Sequence, residues 1–252
     1  WISNDYSSDG KMHYNYKPLS GDWIHTEQIG FNTTDYNEPE LAIDESDNLY
    51  LVYTAQGLGG SGTRQVYYRN KTYAGTWSSS TLVSEISNED SNGPKLALST
   101  EDPPTVHVTW YDHDIFYTDE IFYRECDPVW NATEQVTDFG DDCEHPSIAV
   151  RPPLISSNHR VMVTYSQNVD SYYGEWHIQY MYKNVGDTWP TTYTTISDDA
   201  TEFATSPDLY VERYYYTYRT HCAWADTTSY SGSGSDRDIV YKRTSPLVAL
   251  RI

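Results

Sequence analysis

Residues 66–77 read VYYRNKTYAGTW: a tyrosine followed by a basic residue, a short polar turn, then a tryptophan. Neither Tyr68-Arg69 nor Trp77 has the look of a catalytic pair, yet the arrangement recurs. A Tyr-basic pair stands at Tyr16-Lys17, Tyr68-Arg69, Tyr123-Arg124, Tyr182-Lys183 and Tyr241-Lys242. An aromatic residue precedes each by 13 to 17 positions: Trp1, Tyr53, Trp110, Tyr165 and Trp224. A tryptophan follows the first four by 7 to 9 positions, at Trp23, Trp77, Trp130 and Trp189.

Each tryptophan is in turn followed, 16 to 18 residues on, by a proline that opens an apolar segment. These segments are EPELAI at Pro39, GPKLAL at Pro94, HPSIAV at Pro146 and SPDLYV at Pro207, so the prolines are 55, 52 and 61 residues apart. One repeat therefore holds four short runs: a Pro-led strand a, an aromatic-tailed strand b, a Tyr-basic strand c and a Trp-led strand d. Four antiparallel strands recurring at this period predict an all-β fold of β-propeller blades. In LYLVY, VHVTW and VMVTY alternate residues fall on one face, which must pack on the neighbouring sheet. The tyrosine and tryptophan framing the c–d turn are expected to fill the wider outer gap between blades. The adjacent Arg or Lys then points towards solvent or a neighbouring acid.

The chain starts in the frame of strand b, and SPLVAL (245–250) matches the strand-a pattern. A single five-bladed propeller domain follows, with blades at approximately 1–35 plus 245–252, 36–88, 89–141, 142–201 and 202–244. The first blade is split between the termini, which hides open sheet edges. The other arrangement makes 245–252 an outer strand and leaves the first blade without its inner one.

The repeats resemble those of sialidase-like, BNR-type propeller proteins of the secreted and cell-surface kind, in which a Trp-bearing turn closes each blade. Only remnants of that family's Asp-box remain, such as AGTW (74–77) and GDTW (186–189). The resemblance implies the fold far more than an activity. Sialidase chemistry would need three arginines converging on a carboxylate, a nucleophilic tyrosine with a glutamate, and an aspartic acid. Of the ten arginines, Arg69 and Arg124 fall in strand c and Arg237, Arg243 and Arg251 near the end, so no inner-strand triad assembles.

Composition sets further limits. The 37 acidic against 16 basic residues give a net charge of −21, which repels nucleic-acid phosphates and anionic membranes. Nucleic acid is excluded as a partner, and no apolar run is long enough for direct membrane insertion. With 25 Tyr and 8 Trp, burial leans on large amphipathic rings, which suits strands. Sequons at Asn32, Asn70 and Asn131 add to the case for an extracellular or cell-surface glycoprotein.

Paired carboxylates on separate blades would support glycoside hydrolysis. Asp112, Asp114 and Asp226 stand at strand-b ends, but Asp5 sits comparably and turn capping accounts for all four. The d–a loops repeat an acidic slot: Asp35 and Glu38, Glu89 and Asp90, Asp141, Asp142 and Glu144, then Asp198, Asp199 and Glu202. Oxygen ligands at Asp35, Glu38, Asp90, Asp141, Asp142, Asp198 and Asp199 are candidates for calcium or a cationic partner, although no loop has EF-hand spacing. Gly-rich loops at 57–62 and 231–235 lack the Lys-Ser/Thr and helix of a phosphate cradle. Cys222 falls in register with core positions, and Cys126 and Cys143 lie too far apart along strand d for a direct bridge.

No catalytic residue emerges. The expectation is a non-enzymatic binding or adhesion module for carbohydrate or a surface protein. The enzyme alternative is a glycoside hydrolase or lyase; the third is a self-assembling subunit of a surface layer or filament.

Overall fold

The computed structural model describes residues 2–4, 10–18, 20–29, 35–56, 62–84, 89–113, 118–153, 159–170, 174–197, 203–214, 217–227 and 238–244. Among them all regular structure is β, in five antiparallel sheets whose strands are ordered along the chain. The first sheet holds β1 (Ile2–Asn4), β2 (Gly10–Tyr16) and β3 (Ile24–Gln28). The second holds β4 (Asp35–Ile43), β5 (Leu49–Gln56), β6 (Arg64–Lys71) and β7 (Thr81–Leu82). The third comprises β8 (Asn92–Leu98), β9 (Val106–His113), β10 (Asp119–Cys126) and β11 (Glu134–Gln135). The fourth comprises β12 (Cys143–Arg151), β13 (Arg160–Asp170), β14 (Glu175–Asn184) and β15 (Thr194–Thr195). The fifth contains β16 (Ala204–Tyr214), β17 (Thr217–Asp226) and β18 (Asp238–Arg243). The strand sequence a, b, c, d read from the repeat is thus the observed hydrogen-bonding order. The proposed closing segment, 245–250, lies outside the described residues.

The chain divides into two compact units, Trp1–Pro94 and Lys95–Ile252. In the first, Leu51, Tyr53 and Ala55 alternate along β5 and pack with Tyr67 against Met12 and Ile29 of the preceding sheet. In the second, Val161, Val163 and Tyr165 of β13 pack with Met181 on Ile121, Tyr123 and Val136 of the third sheet. The opposite face of the fourth sheet, with Ala149, Met162 and Ile178, receives Leu209, Cys222 and Trp224 of the fifth. The strand-b aromatics Tyr53, Trp110, Tyr165 and Trp224 are all buried, at 0%, 1%, 0% and 3% exposure. Period-2 alternation therefore gives each such sheet two apolar faces, one for each neighbour.

The Tyr-basic pairs need a correction of register. Tyr68, Tyr123 and Tyr241 face Val52, Thr109 and Ala223, each one residue before the strand-b aromatic. In the fourth sheet the residue facing that slot, Thr164, is Tyr180; Tyr182 faces Met162, two residues on. The first sheet behaves alike. The bond from Ile29 N–H to the Met12 carbonyl repeats those from Val83 to Val66, Val136 to Ile121 and Ile196 to Ile178. Tyr14, rather than Tyr16, is then the matching residue. Both segments read Tyr-x-Tyr-Lys, YNYK and YMYK, and a two-residue slip keeps every side chain on its proper face.

The shift moves Lys183 into the slot of Lys71, and the two lysines have the same surroundings. Lys71 Nζ lies 2.6 Å from Glu27 Oε2, 5.6 Å from the Tyr14 ring centroid and 6.0 Å from that of Trp77. Lys183 Nζ lies 2.6 Å from both Glu134 oxygens, 4.7 Å from the Tyr123 centroid and 5.3 Å from that of Trp189. Trp77 meets Tyr14, and Trp189 meets Tyr123, edge to face at 78°. Each lysine thus ties its own sheet to the preceding one through an acid and two rings. Two of the other basics also reach back to the preceding sheet: Arg69 donates to the Ile29 carbonyl, and Lys242 Nζ to the Ile196 carbonyl at 3.0 Å; Arg124 instead donates to the Asn131 carbonyl of its own sheet. The four tryptophans are not equivalent. Trp23 is 65% exposed, and Trp130 lies under Arg124, its centroid 5.8 Å from the guanidinium.

Two further devices repeat. Ser84, Thr137 and Ser197, each following strand d, accept from the N–H of Val66, Ile121 and Ile178 at 3.0, 2.8 and 3.1 Å. Strand a, moreover, is bulged in front of its proline. Glu38, Gly93, His145 and Ser206 have φ of 51°, 58°, 54° and 55°. Register shifts at Asn37/Glu40, Glu144/Ser147 and Thr205/Asp208 set that residue and the proline opposite one residue of strand b. Proline has no N–H, so the bulge costs the ladder no bond there.

Behind this packing lies a buried polar chain. His107 is fully buried, its Nδ1 2.7 Å from Tyr123 Oη, which donates to Glu125 Oε2 at 2.7 Å. Burial, with His159 and Lys183 nearby, depresses the His107 pKa to about 3. The unfolded chain binds a proton at this group from about pH 6.5 downwards, whereas the folded chain does not until about pH 3. Its contribution is therefore complete above pH 6.5 and lost as pH falls towards 3, at up to about 1.4 kcal/mol per pH unit. Denaturant melts from pH 7 to 4 should show a shallower loss of stability in His107→Gln than in the parent; equal slopes would rule this out.

Candidate functional site

The start of strand a, the end of strand b and the start of strand c meet at one end of each of the second to fifth sheets. In the second unit that end is acidic. Glu144 belongs to the inner strand β12, directly before the bulge, and its carboxylate is partly exposed at 26%. His145, held at positive φ, places Nδ1 3.5 Å from Glu144 Oε2, and its ring centroid is 5.8 Å from that of Tyr111. On the neighbouring inner strand β16, Asp208 is exposed, and Ser147 Oγ donates to its Oδ1 at 3.4 Å while accepting from Leu209 N–H at 3.0 Å. Ser166 Oγ accepts from Ser206 N–H at 3.2 Å across the same pair of sheets. Inner strands of the fourth and fifth sheets are thereby fixed side by side.

Aligning the residues before each proline isolates Glu144. The slot two positions ahead of proline holds Asn37, Asn92, Glu144 and Thr205, so it is a carboxylate once in four repeats. The Asp208 slot holds Glu40, Lys95, Ser147 and Asp208. A fully repeated side chain serves the repeat, while one that departs from its siblings is free to serve chemistry. This signal was available in the sequence, but Glu144 was read there as one more loop acid; the structure places it within the strand.

The buried acids answer differently. Glu120 is fully buried and accepts from Thr137 Oγ1; Gln65 occupies the same slot in the second sheet and accepts from Ser84 Oγ at 2.9 Å. Glu120 is thus a strand-end brace. Asp226, 2% exposed, accepts from Trp224 Nε1 at 3.0 Å.

The acidic d–a loop residues act as internal acceptors. Glu38 Oε2 takes the Gly93 N–H at 3.0 Å, and Asp90 Oδ1 takes the Arg64 N–H at 2.7 Å. Asp141 Oδ2 accepts from Gln167 Nε2 at 3.1 Å, and Asp142 Oδ1 from Asp119 N–H at 3.3 Å. Asp35 lies in β4, its side chain outside the described residues, as are Asp198 and Asp199 altogether. Among the described residues no three His, Cys, Asp or Glu side chains gather as a metal group would need. Of the sequons, Asn70 is in β6 and Asn131 is exposed with its Nδ2 2.9 Å from Glu125 Oε1; Asn32 lies outside the described residues. Cys126, Cys143 and Cys222 are free thiols, and burial pushes Cys222 up to about 12. In the first unit a cleft of about 660 Å³ is walled by Met12, Tyr14, Trp23, Pro39, Leu41 and Leu51, with no carboxylate in its lining.

No protein-family model matches the sequence, and no curated protein does. Solved structures do match in fold. An α-L-arabinanase of Penicillium chrysogenum superposes with a TM-score of 0.57 at 14% identity, over 92% of this chain and 67% of that one. A GH93 α-L-arabinofuranosidase of Fusarium graminearum gives 0.57 at 13% identity, over 93% and 67%. A Hadza microbial sialidase gives 0.53 at 11% identity, over 82% of this chain and 44% of that one, so the chain spans less than half of its length. These likenesses establish the sialidase-like propeller fold expected from the repeat. They also correct the expectation of a non-enzymatic adhesion module: a sialidase, an arabinanase and arabinofuranosidases, all glycoside-cleaving enzymes, are among the solved structures that share this fold. Reading the d–a acids as one repeated slot hides the departure at Glu144.

Proposed function

We propose that this chain is the propeller of a carbohydrate-cleaving enzyme of the glycoside hydrolase type. The observation that carries the reading is Glu144, the inner-strand carboxylate absent from the matching slot of the other repeats. Hydrolysis of a glycoside needs one carboxyl group to protonate the leaving oxygen and a second to assist attack. Glu144 supplies the first, with His145 and Tyr111 beside it to hold the carboxyl and to flank a sugar ring. Asp208, exposed on the adjoining inner strand, is the second. The arabinanase and arabinofuranosidase among the similar structures make furanosides of arabinose the first substrates to try, with sialosides after them.

The same reading takes the five sheets as five blades, the first completed by 245–250. Its support is the first sheet, which holds three strands among the described residues, and the strand-a pattern of SPLVAL. Deleting 245–252 should lower the melting temperature by several degrees, and an unchanged transition would contradict the split blade.

Release of reducing sugar from arabinan, arabino-oligosaccharides and sialosides tests the activity. Glu144→Gln should cut the rate about 10²- to 10⁴-fold while leaving the thermal transition in place. An unchanged rate in that variant, or no cleavage of any glycoside by the parent chain, would sink the proposal.

A further inference from the structure

Four of the ten arginines in this chain of net charge −21 fall at the opposite end of the last two sheets: Arg151, Arg160, Arg213 and Arg219. Arg151 closes β12 and Arg160 opens β13, roughly 20 Å along the strands from Glu144. The two are directly opposite in register. Like charges facing each other across antiparallel strands destabilise a sheet, so the pairing needs a reason. Lys71 and Lys183 are each neutralised by a glutamate, yet among the described residues no carboxylate pairs with Arg151 or Arg160. Their Nε groups are buried and find no acceptor among those residues. The acids nearest to this end are engaged elsewhere: Glu101 Oε1 lies 2.8 Å from His159 Nδ1 and Glu212 Oε2 lies 3.2 Å from His221 Nε2, while the connecting segments 152–159, PPLISSNH, and 214–216, YYY, carry no carboxylate.

Tyrosines complete the surroundings. The Arg160 guanidinium sits 4.2 Å from the centroid of Tyr182, which is 44% exposed, and Tyr180 and Tyr182 lie 5.9 Å apart. Tyr180, Tyr182 and, from the fifth sheet, Tyr218 are the charge neighbours of Arg151 besides Arg160; its pKa is lowered by burial and by that second guanidinium. Burial pushes the Tyr180 hydroxyl up to about 12, so it stays a neutral donor. Two forked cations with unmet N–H groups, phenol hydroxyls and an exposed ring are the parts of a site for a planar or tetrahedral oxyanion.

We propose that Arg151 and Arg160 form a binding site for the carboxylate or sulfate of an acidic saccharide, remote from the Glu144 end and independent of any cleavage there. The strongly negative chain repels polyphosphates, whereas a single oxyanion on a sugar ring meets both the paired guanidinium groups and the tyrosine face. Without its anion the pair is self-repelling.

Isothermal titration with sulfate, glucuronate and glucose, at ionic strength held constant with sodium chloride, tests this. Saturable binding of glucuronate, with or without sulfate, and none of glucose is the expected result; sulfate alone would mark an inorganic-anion site and overturn the saccharide assignment. Arg151→Gln and Arg160→Lys should each weaken glucuronate binding at least tenfold, the second because it keeps the charge and loses the fork. In the absence of anion, Arg151→Gln should melt no lower than the parent, since one of two opposed charges is gone. No saturable binding of either anion, or wild-type affinity in both variants, would overturn the site.

Discussion

A lysine held between an acid and two rings ties sheet to sheet in both units. Lys183, with a side chain only 3% exposed, is the sharper case. Taking an ammonium group out of water costs several kcal/mol even after relaxation, and one ion pair does not always repay it. Here Glu134 approaches with both oxygens, while the faces of Tyr123 and Trp189 add attraction that needs no second counter-ion. The acid and tyrosine come from the third sheet, the lysine and tryptophan from the fourth. The geometry can therefore be satisfied only if those sheets are correctly apposed. Lys71, with Glu27, Tyr14 and Trp77, repeats the arrangement in the first unit.

Such fixation matters for the inner strands, where the chemistry is proposed. Glu144 and Asp208 are on different sheets, and their separation depends on how the fourth and fifth pack. Ala149, Met162 and Ile178 against Leu209, Cys222 and Trp224 provide the apolar part, and Ser147 and Ser166 stitch the two strands by hydrogen bonds. The bulge before proline then turns each strand start outward at a positive φ that a non-glycine residue adopts only at a cost of about 1–2 kcal/mol. His145 bears that cost beside Glu144, where strain of this kind is most often tolerated.

Much of the fold was legible in the sequence because the signals are periodic. Aromatics ending strand b, prolines opening strand a and alternation between them gave strand order and sheet packing. Register within strand c was not legible, since Tyr-x-Tyr-Lys admits two placements that bury the same face, and only the cross-strand partner distinguishes Tyr180 from Tyr182. Tryptophan spacing likewise concealed that Trp77 and Trp189 share an environment while Trp23 and Trp130 do not. Glu144 and the Arg151–Arg160 pair were in view but carried no motif. Their meaning comes from position: one breaks a repeated slot, and the others face each other only because β12 and β13 pair in that register.

The central claim is that the lysine clamp contributes to stability as a coupled unit rather than as an exposed ion pair. A double-mutant cycle on Lys183→Met and Glu134→Gln, read by denaturant unfolding, measures that coupling. About 2–3 kcal/mol is predicted, with Lys183→Met alone costing about 3 kcal/mol. A coupling below about 0.5 kcal/mol, the range of surface pairs, would contradict it.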